Sequence, residues 1–169
     1  QRSLLADPGK SRSYIQIAQA CIQTDQNEKA ADALSHALVF NSNSSTQLLL
    51  NHALSSEAAG RYEVALVSYN SVLRKDPTNT KARDHRIAAT FLMGDRLNSL
   101  QYLSEIPDRG FDQNYMLGVC ELELGRPDQA LAHLAVATSQ MPNYQAAIEA
   151  QAEALFLLNK QDQALLALR

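Results

Sequence analysis

The chain has 169 residues, of which 46% are hydrophobic and 20% are charged, and its net charge is −3. This balance is typical of a globular protein and excludes a disordered chain, which combines low hydrophobicity with high net charge. It also excludes a basic nucleic-acid-binding surface and predicts no membrane span, since no stretch approaches about 18 uninterrupted apolar residues. The scarcity of glycine and proline favours helices over an all-β fold.

A short motif recurs along the chain with a period of about 34 residues, which is typical of one class of helical repeat. It consists of a turn residue, a short polar stretch and an alanine followed by a second alanine or a leucine. Its key alanines are Ala30, Ala65, Ala130 and Ala164. The wide gap between Ala65 and Ala130 holds two units, the first with Ser99-Leu100 in place of Ala-Leu. A fixed period of this length predicts a helical repeat protein.

Each unit is predicted to be a helix, a tight turn and a second helix. In the second unit, Ala53 belongs to the apolar stripe of the first helix and Gly60 ends that helix. Ala65 and Tyr69 belong to the stripe of the second helix, which Pro77 closes because proline cannot continue a helix. The predicted organisation is a lead-in over residues 1–10 and a repeat domain over 11–169. In chain order the units are residues 11–44, 46–79, 80–110, 111–144 and 145–169, the last incomplete.

These units resemble the tetratricopeptide repeat, whose pattern is Trp-x2-Leu-Gly-x2-Tyr, then Ala-x3-Phe, then Pro. In the first unit Tyr14 stands at the tryptophan position, Ile17-Ala18 at Leu-Gly, and Ala30 begins the Ala-x3-Phe step. The fourth unit matches best and keeps Leu117-Gly118, whereas the third is shorter than the others. The resemblance implies an all-α fold, a right-handed α-solenoid of about five helix pairs.

The same resemblance implies a concave groove lined by the first helix of each unit, where a protein or peptide partner would bind. The predicted groove residues mix apolar side chains with glutamine, asparagine and carboxylates. They are Ile15, Gln19, Ile22, Gln47, Leu50, Asn51, Leu54, Asp84, Phe91, Tyr115, Val119, Leu122, Glu149 and Glu153. Two readings stay open for the apolar members Leu50, Leu54, Tyr115, Val119 and Leu122: an exposed stripe awaiting a partner, or core.

One subclass of the family captures peptide C-termini with a clamp of lysines and asparagines. The comparable positions here are Ile15, Gln19, Asn51, Lys81 and His85, of which only Asn51 and Lys81 fit. A carboxylate needs charge-assisted donors to offset its desolvation, so the clamp is predicted to be absent.

Catalytic and metal-binding motifs are missing from the sequence. None of the four histidines pairs with a cysteine or carboxylate at a metal-ligand spacing, and neither a phosphate loop nor a nucleophile elbow occurs. Cys21 and Cys120 fall in units three repeats apart, which argues against a disulfide between them. We therefore predict no catalytic residue, no metal and no cofactor.

The predicted function is a non-catalytic scaffold or chaperone that binds a peptide or helix. The turn motif also resembles proteins of tight-adherence pilus assembly and pilotin-like lipoproteins, which implies secretion or pilus assembly and a periplasmic location, favoured over the cytoplasm, with an N-terminal lipid anchor. An alternative is the interaction arm of a larger enzyme, because the sequence stops within a predicted helix. A further alternative is self-association into a homo-oligomer through the apolar last helix, residues 165–168.

Overall fold

The computed structural model describes residues 7–41 and 44–168. Over these residues its regular secondary structure consists of α-helices alone, joined by turns. The predicted all-α fold is confirmed. The ten helices are α1 Pro8–Gln23, α2 Asn27–Val39, α3 Thr46–Ala58, α4 Tyr62–Lys75, α5 Thr80–Leu92, α6 Arg96–Ser104, α7 Phe111–Glu123, α8 Pro127–Gln140, α9 Gln145–Leu157 and α10 Gln161–Ala167.

The helices form five consecutive pairs, and each pair is joined by a tight turn with one residue in the left-handed conformation. Three of these turn residues are glycines, at φ values of 72° to 79°, and two are the small polar residues Asp25 and Asn159 at 53° and 58°. The glycines are Gly60, Gly94 and Gly125. In the second pair the Arg61 amide donates to the Ser56 carbonyl across the turn at 2.8 Å, which closes the helix end.

The first helix begins inside the predicted lead-in. Asp7 caps it, since its carboxylate accepts from the backbone amides of Gly9 and Lys10, and Pro8 occupies the first helical position. The rest of the lead-in, residues 1–6, lies outside the described residues. The boundaries of the domain and of its repeats stay a prediction.

Two compact units divide the chain, Gln1–Ala89 and Thr90–Arg169. In the first unit, one core cluster joins α1, α2 and α3 through Ala18, Leu34 and Leu48, and the partly buried ring of Tyr14 packs against it. A second cluster joins α3 and α4 to the start of α5 and is centred on Tyr69, whose side chain is fully buried. Each second helix is therefore covered on one side by its own partner and on the other by the next helix.

In the second unit, one core cluster joins α8 to α9 through Ala130, Leu134, Ala150 and Ala154, with Tyr115 of α7 packed against it. A second cluster joins α9 to α10 and contains Ala164. The predicted key alanines are buried throughout, and at 0 to 6% exposure they leave no room for a larger side chain.

The third pair departs from the others, as its sequence indicates. Its second helix, α6, has 9 residues, whereas α4 and α8 have 14. Ser99 replaces the key alanine, is fully buried, and satisfies its hydroxyl by donating to the Asp95 carbonyl at 2.7 Å. Leu103, near the end of α6, and Ile106, just after it, are both buried.

Candidate functional site

Five of the predicted groove residues in the first unit have side chains that are exposed or half-exposed. Four of them are polar and one is apolar. Gln47 donates to the Asn51 side chain at 2.7 Å across one turn of α3, and the Asp84 carboxylate accepts from Arg83 at 3.2 Å. Gln19 is exposed, and the exposed fraction of Ile22 is 42%. These residues are available to a partner, and their role in binding stays a prediction.

Three other predicted groove residues of the first unit lie in its core or pack against it. Leu50 is 8% exposed and is a member of the cluster around Tyr69, so it does not line a groove. Leu54 packs against the same cluster, and Ile15 packs against the cluster of α1 to α3. The reason is that α3 packs against helices on more than one side, so an apolar residue off its main stripe is still covered.

The first unit also contains a partly buried polar triad of Glu57, Tyr69 and His85, which the sequence pattern did not predict. The Tyr69 hydroxyl donates to Glu57, and the same carboxylate oxygen lies 3.0 Å from Nδ1 of His85. Burial and then the bond to Glu57 raise the pKa of Tyr69. Because a carboxylate already occupies this place, a peptide C-terminus would be repelled there. The absence of the clamp stays a prediction.

The second unit brings five predicted groove residues together in one cleft between α7 and α9. We call it the α7–α9 cleft; its volume is about 340 Å³. Its α7 wall is mostly apolar, and its α9 wall alternates alanines with carboxylates. The lining residues are Tyr115, Val119, Leu122, Glu123, Ala146, Glu149, Ala150 and Glu153.

An aromatic cluster fixes one end of the α7–α9 cleft. Phe111 and Tyr115 stack with ring centroids 6.0 Å apart, and Tyr144 packs edge-on against them at 4.8 and 5.5 Å. Burial, together with the nearby Tyr144 and Glu149, raises the pKa of Tyr115, which therefore presents a neutral phenol. The cleft thus offers a rigid aromatic surface of the kind that anchors interfaces.

The carboxylates of the α7–α9 cleft are not equivalent. Glu123 is held by Arg96 in a two-bond ion pair at 2.6 and 2.8 Å, which keeps the pKa of Glu123 low. Glu149 accepts from the Gln145 side chain at 2.8 Å, and both Glu149 and Glu153 are accessible at the cleft. Two accessible negative charges therefore stand opposite the apolar wall.

Phe91, the remaining predicted groove residue, has a packing role. The guanidinium of Arg96 lies 4.4 Å from the centre of the Phe91 ring, and the same guanidinium donates to the Phe91 carbonyl. Arg96 thereby fastens the end of α5 to the start of α6 while pairing with Glu123. Phe91 thus contacts the arginine of the ion pair, and its place in a groove stays a prediction.

Among residues 7–41 and 44–168, no three His, Cys, Asp or Glu side chains lie close enough to hold a metal ion. Burial raises the pKa of the Cys120 thiol to about 11, which makes it a poor nucleophile at neutral pH. Over residues 7–41 and 44–168, no helix has the length and apolar character needed to cross a membrane.

Comparison with known proteins agrees with these helix pairs. Residues 11–42 match the family model of the tetratricopeptide repeat. The chain carries a tetratricopeptide repeat. Its α1–α2 pair is thus recognised by sequence, and the other four pairs share its architecture of helix, left-handed turn and helix.

Solved structures of MamA have a similar fold over nearly the whole chain. "Crystal structure of MamA protein" superposes with a TM-score of 0.79 at 19% identity, covering 94% of this chain and 87% of that one. "MamA 41-end from Desulfovibrio magneticus RS-1" gives a TM-score of 0.79 at 16% identity, covering 96% and 92%. At this identity the likeness establishes the fold alone, a series of paired helices.

Proposed function

We propose that the chain is a non-catalytic protein-interaction module that binds a peptide or helix of a partner in the α7–α9 cleft. The observation that carries the proposal is the assembly of aromatic, apolar and acidic side chains from two helices around one accessible cleft. Protein-binding sites combine rigid aromatic anchors with a polar rim in this manner. The repeat fold supports it, because stacked helix pairs present extended binding surfaces.

The cleft favours a segment that pairs an apolar side chain with a lysine or arginine. The apolar side chain would pack on Tyr115, Val119 and Leu122, and the cation would face Glu149 and Glu153. An acidic segment would be repelled, so charge contributes selectivity as well as attraction.

A peptide library displayed on phage, panned against the chain, tests this function. We expect enriched peptides that carry a basic and an apolar residue, and we expect Ala146→Phe to weaken their binding at least about tenfold because the ring fills the cleft. Fluorescence anisotropy of the labelled peptides measures the affinity.

The matched control is Ala135→Phe, which places the same ring on an exposed position of α8 that lies outside the cleft. This variant should bind as the wild type does. If no enriched peptide distinguishes Ala146→Phe from Ala135→Phe, the α7–α9 cleft is not the binding site.

The finer assignments are proposals that rest on the sequence resemblance. Assembly of a pilus or secretion system, a periplasmic location and a lipid anchor form one such proposal, and the interaction arm of a larger enzyme forms another. The matched structures are named MamA, and their names add no support to either. Self-association is favoured by one observation, the exposed leucines of α10. Sedimentation of the chain over a range of concentrations tests it.

A further inference from the structure

The two walls of the α7–α9 cleft carry carboxylates with different surroundings. On the α9 wall, Glu149 and Glu153 are exposed, and neither forms an ion pair with a described residue. On the α7 wall, the side chain of Glu123 is 50% exposed, but Arg96 binds it. Nε of Arg96 donates to Oε2 of Glu123, and Nη2 donates to Oε1. Carboxylates therefore line both walls, while free negative charge lies along the α9 wall.

The arginine that binds Glu123 is itself held by a backbone carbonyl and an aromatic ring. Its third nitrogen, Nη1, donates to the Phe91 carbonyl, and its guanidinium lies 4.4 Å from the centre of the Phe91 ring. The Arg96 side chain is mostly covered, at 18% exposure. Each guanidinium nitrogen thus makes a bond, and both oxygens of Glu123 are engaged in a planar pair. A second cation that approached Glu123 would also approach the positive charge of Arg96.

We infer that Arg96 is a specificity-determining residue of the α7–α9 cleft, because it cancels the charge of Glu123 and leaves the acidic edge to α9. The matching partner is a protein segment whose lysines or arginines lie on one side of its apolar residues, toward Glu149 and Glu153. This role rests on the proposed function of the cleft and adds the placement of the partner's charges.

The orientation of the bound segment follows from this placement. With one acidic edge, a segment that carries its cations on one side has a single favourable orientation in the cleft. Without Arg96, Glu123 would make the α7 edge acidic as well, and the reversed orientation would also be attracted. Arg96 therefore selects among basic segments, whereas the α9 carboxylates select for basic segments in general.

Two helical peptides of the same composition test the role of Arg96. They are derived from a phage-selected peptide whose binding Ala146→Phe weakens, and each carries two lysines beside an apolar stripe. In the one-edge peptide both lysines lie on the same side of the stripe, and in the two-edge peptide they lie on opposite sides. We expect the wild type to bind the one-edge peptide about threefold more tightly at low salt, since its second lysine meets a free carboxylate. Fluorescence anisotropy gives both dissociation constants, and the preference should shrink in about 0.5 M salt.

Three variants separate the charge of Arg96 from its contribution to packing. Arg96→Gln frees Glu123, so the preference for the one-edge peptide should disappear. Arg96→Gln combined with Glu123→Gln makes the α7 wall neutral again and should restore the preference. The matched control, Arg126→Gln, removes an arginine whose partner Glu121 is buried and lies outside the cleft lining, so the preference should remain. Circular dichroism verifies that each variant is folded.

A measurement without peptide examines the ion pair directly. Arg96 keeps the pKa of Glu123 below its ordinary value, chiefly through the hydrogen bonds that it donates. In an NMR titration of the Glu123 carboxyl carbon, Arg96→Gln should therefore raise this pKa. An unchanged pKa would mean that Arg96 does not neutralise Glu123, and the inferred role would be wrong.

The binding results can also overturn the inferred role. Arg96 would act through packing alone if Arg96→Gln kept the wild-type preference, or if the double variant with Glu123→Gln failed to restore it. Failure of the proposed function is a different result, in which Ala146→Phe weakens no selected peptide. The role of Arg96 in specificity would then fall together with the cleft.

Discussion

His52 is a buried histidine between two serines, and its surroundings fix its protonation. The Ser35 hydroxyl donates to the Ala31 carbonyl at 2.9 Å, so its oxygen is left to accept from Nε2 of His52 at 2.8 Å. Nδ1 must then accept from the Ser68 hydroxyl at 2.7 Å. The neutral ring thus links α2, α3 and α4 at a position where the repeat pattern usually has leucine.

This network makes the stability of the chain depend on pH. Burial, and then the charge of Arg61, lower the pKa of His52 below its ordinary value of 6.5. The unfolded chain therefore takes up more protons than the folded chain as the pH falls through this range, and the free energy of unfolding decreases. We expect the melting temperature to fall as the pH is lowered from about 7.5 to about 5.5, and His52→Leu to reduce that fall.

The control is His36→Gln, which alters an exposed histidine stacked on Tyr14. It should keep the pH dependence of the wild type. Thermal melts followed by circular dichroism at matched ionic strength make the comparison. The His52 interpretation fails if His52→Leu and the wild type show the same slope of melting temperature against pH.

At the scale of the helices, the contact between α7 and α8 depends on Gly118. A Cβ placed on Gly118 would overlap Cγ of Leu134 and lie 2.6 Å from its Cδ2, and Leu134 is fully buried. The overpacking should cost about 1–3 kcal/mol, while alanine gains about 1 kcal/mol in helix propensity. We expect Gly118→Ala to lower the free energy of unfolding by about 1 kcal/mol, measured by urea denaturation.

A double-mutant cycle checks that the cause is this contact. In a Leu134→Ala background the space around residue 118 is open, so Gly118→Ala should become neutral or stabilising. Additive effects of the two changes would show that the glycine has another role. The corresponding residue of the next pair is Ala152, which lines one cavity together with the half-exposed Leu168.

The helix pairs could be predicted from the sequence because the residues that mark them are close together in the chain and recur in each pair. Small turn residues and buried alanines recur with one period, and each marks the same place in a pair. The shortening of the third pair could also be predicted, but the ion pair between Arg96 and Glu123 could not. That contact joins side chains on different helix pairs, and no periodic pattern specifies it.

Which of the predicted groove residues are accessible could not be predicted from the sequence, for a physical reason. The helices α3, α7 and α9 each pack on both their partner and the preceding helix, so their apolar residues extend around much of the helix. Periodicity then fails to distinguish Leu50, which is core, from Val119, which lines the α7–α9 cleft. The Glu57 triad was missed because its members come from three helices.

At the scale of the molecule, a chain of helix pairs has local rather than uniform stability, because each pair contacts only its neighbours. The helix α8 is covered by both α7 and α9, whereas the shorter α10 packs against α9 and exposes Leu165 and Leu166 at 62% and 69%. Local opening of α10 should therefore cost less than opening of α8. By hydrogen exchange and mass spectrometry, we expect amides in residues 161–167 to exchange at least about tenfold faster than those in 130–140, after correction for intrinsic rates. Equal protection of the two helices would mean that they unfold as one cooperative unit, contrary to this expectation.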